Sequence, residues 1–142
     1  MAFHEALELA KDVTSILTFL VVLYGVFLGY KQLVYLRRSQ CENIAKQMYA
    51  RALELCAQNP QFAEPGPLSE FSPSEYVSYK WQTGYLFNAC EELMAYSDAG
   101  WWENEIKQVI QLHEEWINSE EFKSFERPSL TPEFVKLIDK YS

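Results

Sequence analysis

The residues with the best-defined chemistry are two adjacent carboxylates and a histidine, Glu91, Glu92 and His113. Helical di-iron sites need Glu-x-x-His pairs, and that spacing is absent because position 110 is isoleucine. The His-Glu-x-x-His motif of zinc proteases is absent too. The three side chains could bind one metal ion only if neighbouring helices brought them together. We keep a metal-binding or enzymatic domain as the alternative function, and we expect a partly buried, hydrogen-bonded His113.

Three widely spaced cysteines, Cys41, Cys56 and Cys90, include no Cys-x-x-Cys pair. Their number and spacing indicate neither a zinc site nor a disulfide framework. Cys90 with His113 is the one nucleophile and base that the sequence offers, but Cys90 falls on the apolar side of its predicted helix and no oxyanion-hole signal accompanies it. We therefore expect structural thiols in a reducing compartment, with no catalytic residue, no metal and no cofactor.

The charge balance narrows the class of partner. The chain carries a net charge of −8, and residues 37–142 hold 10 basic and 17 acidic residues, which leaves −7 on that part. Nucleic-acid binding needs a basic surface, so we expect no nucleic-acid partner. Flat binding of this part to anionic lipid is disfavoured for the same reason. No glycine-rich phosphate loop occurs, and we predict no small-molecule substrate.

An uncharged apolar run from Val13 to Tyr30 is close to the roughly 20 residues that a helix needs to cross a bilayer. Lys31 can snorkel to the headgroups, so the predicted transmembrane helix is 13–36, after a short extracytoplasmic segment, 1–12. A cleaved signal peptide is disfavoured because acidic residues precede the run and bulky ones follow it. A wholly buried soluble helix is disfavoured by the length of the run.

Basic residues lie on the C-terminal side of the predicted span, at Lys31, Arg37 and Arg38. The positive-inside rule then places the domain formed by residues 37–142 in the cytoplasm and the N-terminus outside. The free cysteines agree with a cytoplasmic domain.

A stripe of small residues marks one face of the predicted span. Gly25 and Gly29 form a Gly-x-x-x-Gly pair, and Thr14 and Thr18 continue the same face at helical spacing. Small side chains let two membrane helices approach closely, although glycine is also simply frequent in such helices. We predict that this face takes part in helix pairing.

The rest of the chain predicts helices and no strands. The span is expected to continue without a break to Gln58, because no glycine or proline interrupts residues 35–58 and apolar residues recur there at helical spacing. Further helices are predicted from Pro73 to Tyr96, from Trp101 to Asn118, and after Thr131. The predicted fold class is all-α, with one N-terminal transmembrane helix continuing into a small cytoplasmic helical bundle.

Large aromatic residues are more numerous than a small helical core usually needs. Most are expected to fill the core, and Trp81, Trp101 and Trp102 are candidates for an exposed surface that binds a protein partner.

The order of these parts resembles a family of uncharacterised bacterial single-pass, membrane-anchored helical proteins. The residues that carry the resemblance are a span like Ser15-Ile16-Leu17 to Tyr30, then Gln32, Arg37 and Arg38, then Glu91-Glu92-Leu93 to Gly100-Trp101-Trp102, and finally Phe122 and Thr131-Pro132-Glu133-Phe134. Glu92 departs from the pattern, which has asparagine there. The resemblance implies a location in the bacterial inner (plasma) membrane and a helical fold, and it implies no activity.

The sequence therefore predicts a membrane-tethered helical interaction module, either self-associating or an accessory subunit of a membrane protein assembly. The expected partners are the lipid bilayer and either a second copy of the chain or another membrane protein.

Overall fold

The backbone is helical throughout most of its described length. A computed structural model describes residues 2–96, 100 and 102–142. Within residues 2–10 only the side chain of Glu8 is described, and from residue 11 onwards the side chains of these ranges are described as well. The helices are α1 (Ala2–Gln58), α2 (Pro60–Ala63), α3 (Pro73–Tyr96), α4 (Trp102–Leu112), α5 (Glu114–Asn118) and α6 (Pro132–Tyr141), with 3-10 turns at Leu68–Glu70 and Arg127–Ser129 and a π-helical turn at Phe122–Glu126. No strand occurs in these ranges, which confirms the all-α class.

The chain divides into two compact units, Met1–Gln40 and Cys41–Ser142. In the first unit, large apolar side chains project from α1 without protein packed over them, and Val21 is 71% exposed. By its length and composition alone, α1 is long enough and apolar enough to cross a membrane.

The second unit is built around aromatic side chains. Trp116 is 1% exposed, and its ring packs edge-on against Tyr76, Tyr79 and Phe122 at centroid distances of 6.1, 6.2 and 6.0 Å. Edge-on contacts of this kind add to the stabilisation that comes from burying the rings. The core therefore joins α3 to α5 and to the π-helical turn.

The segment between α1 and α3 is more ordered than its proline and glycine content predicts. Pro60 opens the short helix α2, which places Phe62 in the core. The Phe62 ring lies 5.7 Å from that of Phe71 and 6.1 Å from that of Tyr79. These contacts hold the segment against α3.

The start of α3 is fixed by a capping box. The Ser72 hydroxyl accepts a bond from the Glu75 backbone N–H at 3.4 Å, and the Glu75 carboxylate accepts one from the Ser72 backbone N–H at 2.9 Å. This reciprocal pairing satisfies backbone donors that a helix start leaves free. The helix then runs from Pro73 to Tyr96, as predicted.

The prediction of a continuous helix from Trp101 to Asn118 is wrong, because α4 ends at Leu112 and α5 begins at Glu114. His113 leaves the helical conformation, with φ −108° and ψ 22°. Its imidazole is buried and Nδ1 lies 2.9 Å from the Tyr79 hydroxyl on α3. A tertiary hydrogen bond in the core therefore overrides local helical propensity at this residue.

The start of α6 draws its cap from another helix. The Glu91 carboxylate on α3 accepts a hydrogen bond from the backbone N–H of Thr131, the N-cap residue of α6. The Thr131 hydroxyl makes no capping bond. The negative charge of Glu91 at the N-terminus of α6 also interacts favourably with the positive end of the helix dipole.

We predict that Glu91→Ala lowers the free energy of unfolding by about 1 kcal/mol, because the start of α6 loses its acceptor. Glu92→Ala is the matched control, since Glu92 is the exposed neighbour on the same helix. Urea unfolding of the full chain in detergent micelles, followed by tryptophan fluorescence, measures both. Equal losses in the two variants would contradict the capping role.

Candidate functional site

A groove of about 720 Å³ lies between α3 and the chain from α5 to the second 3-10 turn. Its lining includes Lys80, Trp81, Tyr85, Trp116, Phe125 and Glu126. The size falls within the range of pockets and clefts that bind ligands or partner side chains.

Different faces of α3 contribute to the groove and to the core. Tyr79, Thr83 and Phe87 follow one face at four-residue spacing and are buried. Trp81 and Tyr85 project from a neighbouring face and line the groove. The same helix therefore supplies both the core and one wall of the groove.

The opposite wall of the groove carries Phe125, an apolar side chain that is largely exposed to solvent. Phe125 is 79% exposed, as is Trp81 across the groove, and Val77 beside Trp81 is also exposed. Exposed apolar side chains clustered around one groove are typical of surfaces that bind a partner. Together these three residues form what we call the aromatic rim.

The partly buried carboxylate of Glu126 lines the groove. Oε2 of Glu126 accepts a hydrogen bond of 3.0 Å from Nε1 of Trp116. Gly84 makes room for this carboxylate, because a Cβ on Gly84 would lie 2.7 Å from Oε1 of Glu126. Burial raises the pKa of Glu126, and the Trp116 hydrogen bond and the charge of Lys80 partly oppose that rise.

The second carboxylate in the groove is already paired. Glu121 forms an ion pair with Lys80, and its Oε2 accepts a hydrogen bond of 2.8 Å from the Tyr76 hydroxyl. The bond from Lys80, then that from Tyr76, lowers the pKa of Glu121. Burial and the contact with Glu121 raise the pKa of Tyr76 to about 12, so it remains a donor at neutral pH.

Glu126, by contrast, has no basic side chain within ion-pair distance among the described residues. The groove lining contains one cation, Lys80, and two carboxylates, Glu121 and Glu126. Since Lys80 is paired with Glu121, ionised Glu126 leaves the groove with one uncompensated negative charge.

The three tryptophans predicted to form a partner surface have different positions. Trp81 is on the aromatic rim, whereas Trp102 is half-buried against the core of the second unit. Trp101 lies outside the described residues. Trp116, which the sequence did not separate from the others, belongs to both the core and the groove.

The residues of the alternative metal site make other contacts. The Glu91 carboxylate caps α6, Glu92 is exposed, and Nδ1 of His113 pairs with Tyr79. Among the residues that the structure describes, no three His, Cys, Asp or Glu side chains are placed to hold a metal ion together. The geometry therefore gives the metal-binding alternative no support in that part of the chain.

The nucleophile and base that the sequence offered, Cys90 and His113, are both buried. Cys90 is fully buried, and burial raises the pKa of its thiol. His113 is 2% exposed, and burial lowers its pKa from 6.5 to about 4. At neutral pH both groups are therefore uncharged, in keeping with structural roles.

The small-residue stripe of the first unit is uncrowded. The Thr18 hydroxyl donates a 2.8 Å hydrogen bond to the Thr14 carbonyl, which keeps its polar atom within the helix. A Cβ placed on Gly25 or on Gly29 would meet no atom within 4 Å. The stripe is therefore open to a neighbouring helix.

Comparison with protein-family models, curated proteins and solved structures gave no match to this chain.

We predict that His113→Gln flattens the dependence of stability on pH. The unfolded chain binds a proton at His113 below about pH 6.5 and the folded chain only near pH 4. Stability from the neutral ring is therefore present above pH 6.5 and is lost as the pH falls towards 4, by about 3 kcal/mol in total.

Urea unfolding of wild type and variant at pH 7.5, 5.5 and 4.5 tests this expectation. The amide can still bond to the Tyr79 hydroxyl, so the comparison isolates the proton. Identical pH slopes in the two proteins would contradict a buried, neutral His113.

Proposed function

We propose that this chain is a membrane-tethered helical interaction module. Residues 13–36 anchor it in a bilayer, and residues 37–142 form a cytoplasmic domain that takes part in a membrane protein assembly, with another copy of the chain or with another membrane protein. The observation that carries the proposal is the long, uncharged and uncovered apolar surface of α1 between Val13 and Tyr30.

The exposed apolar side chains of α1 are costly in water. Leaving a large apolar side chain in water rather than burying it costs about 1.5–3 kcal/mol. Residues such as Phe19, Val21 and Val26 remain more than half exposed in the first unit. A bilayer covers all of them at once, and the helix satisfies its own backbone hydrogen bonds there.

Two features favour association rather than anchoring alone. The stripe of Thr14, Thr18, Gly25 and Gly29 offers close packing within the membrane. The aromatic rim offers an apolar contact surface on the domain. No group of described residues supports a metal-dependent activity for the alternative function.

We predict that a reporter fused after Ser142 is active only in the cytoplasm, because Lys31, Arg37 and Arg38 follow the span. Paired fusions to a fluorescent protein and to alkaline phosphatase in bacterial cells measure this. Changing the three basic residues to glutamine should weaken the bias. Phosphatase activity from the wild-type fusion would place the domain outside and overturn the assignment.

We predict that replacing Gly25 and Gly29 with isoleucine shifts the chain to smaller species in membranes. A branched side chain holds two backbones apart, and close packing is the main source of affinity between membrane helices. Crosslinking in isolated membranes measures the size. Leu23→Ile with Phe27→Ile is the matched control, because these residues have the same spacing on the opposite face.

Oligomers of unchanged size in the glycine double variant would exclude this face as the contact. Monomers in both wild type and variant would exclude self-association altogether and leave a different membrane protein as the partner.

A further inference from the structure

We propose that the groove between α3 and the π-helical turn binds an arginine side chain of a partner protein, flanked in that partner by apolar residues. The inference rests on the proposed function and names the chemistry of the partner. It is carried by the aromatic rim together with the unpaired carboxylate of Glu126.

The carboxylate supplies the selectivity for a cation. One oxygen of Glu126 is occupied by Nε1 of Trp116, at 3.0 Å. The other, Oε1, would lie 2.7 Å from a Cβ on Gly84 and accepts no hydrogen bond within the described part of the chain. A partly buried carboxylate of this kind is stabilised by a charged donor that reaches it.

The cation already in the groove does not fill that role. Lys80 is paired with Glu121, and its Nζ lies 5.9 Å from the centroid of the Trp116 ring. Lys80 and Glu121 therefore compensate each other, and the remaining charge of the groove is that of Glu126. Charge complementarity favours a ligand with one positive group.

The aromatic rim selects the kind of cation. Trp81 and Phe125 present largely uncovered ring surface, each 79% exposed. A guanidinium group is planar and weakly hydrated, so it stacks on aromatic rings while it bonds to a carboxylate. An ammonium group is more strongly hydrated and lacks the planar fork.

The size of the groove favours a protein segment over a small free cation. Its volume of about 720 Å³ exceeds that of one guanidinium group, and Val77 extends the apolar surface beyond the rings. Apolar residues on either side of the arginine would cover this remainder. Burial of apolar surface around a central anchor is the usual source of affinity at protein interfaces.

The test measures binding of a fluorescent pentapeptide, Ala-Leu-Arg-Leu-Ala with blocked ends, to the full chain in lipid nanodiscs, with empty nanodiscs as the blank. The comparison peptide contains citrulline, the neutral isostere of arginine. We expect the arginine peptide to bind at least about tenfold more tightly than the citrulline peptide. A cation–π contact with the aromatic rim and a charged hydrogen bond to Glu126 together contribute about that much.

Variants of the chain locate the site. Glu126→Gln keeps an acceptor for Trp116 and removes the charge, so it should abolish the preference for arginine over citrulline. Trp81→Ala should weaken binding of both peptides by about tenfold or more. Glu120→Gln is the matched control, because the Glu120 side chain is 93% exposed and outside the groove, and it should bind as wild type does.

Equal binding of the two peptides to wild type would overturn the proposal, as would an arginine preference that survives Glu126→Gln. Displacement of the peptide by choline at lower concentration than by arginine amide would replace the protein partner with a lipid headgroup and overturn it too. Each of these results leaves the membrane anchor and the oligomer unchanged, whereas failure of the proposed function appears as a chain that is not retained in membranes.

Discussion

The position of Trp116 is the constraint on which the second unit depends. Its ring is enclosed by Tyr76 and Tyr79 of α3 and by Phe122 of the π-helical turn. Its one polar atom, Nε1, points to Glu126 and so places a carboxylate in the groove. The Trp116 side chain therefore belongs both to the aromatic core and to the candidate binding surface.

The two units differ in how their apolar side chains are covered. In residues 41–142, aromatic and aliphatic side chains from several helices cover one another, and polar groups such as His113 are buried only with a partner. In residues 13–36 the apolar side chains project from a single helix, and nothing within that unit covers them. We propose that lipid and a second helix cover these side chains.

Periodicity and capping signals predicted the helical class and the bounds of α3, because Ser72, Pro73 and Glu75 act locally. They failed at His113, where a bond to Tyr79, 34 residues earlier in the chain, breaks the helix. The sequence pointed to Trp81 but missed Phe125 and Glu126, since a π-helical turn shifts which residues face outwards and has no periodic pattern. The sequence also did not distinguish Glu91 from its neighbour Glu92. Only the structure shows that the Glu91 carboxylate binds the backbone at the start of α6.

Membrane anchoring by residues 13–36 is tested most directly by extracting isolated membranes with alkaline carbonate and determining the mass of the retained chain. We expect the intact chain of 16.6 kDa to stay in the membrane pellet. We expect Leu20→Glu with Val22→Lys to release it, because each charge at the centre of a span costs about 2.5–3.5 kcal/mol. Release of the wild-type chain by carbonate, or retention of only a shortened chain, would contradict the membrane anchor.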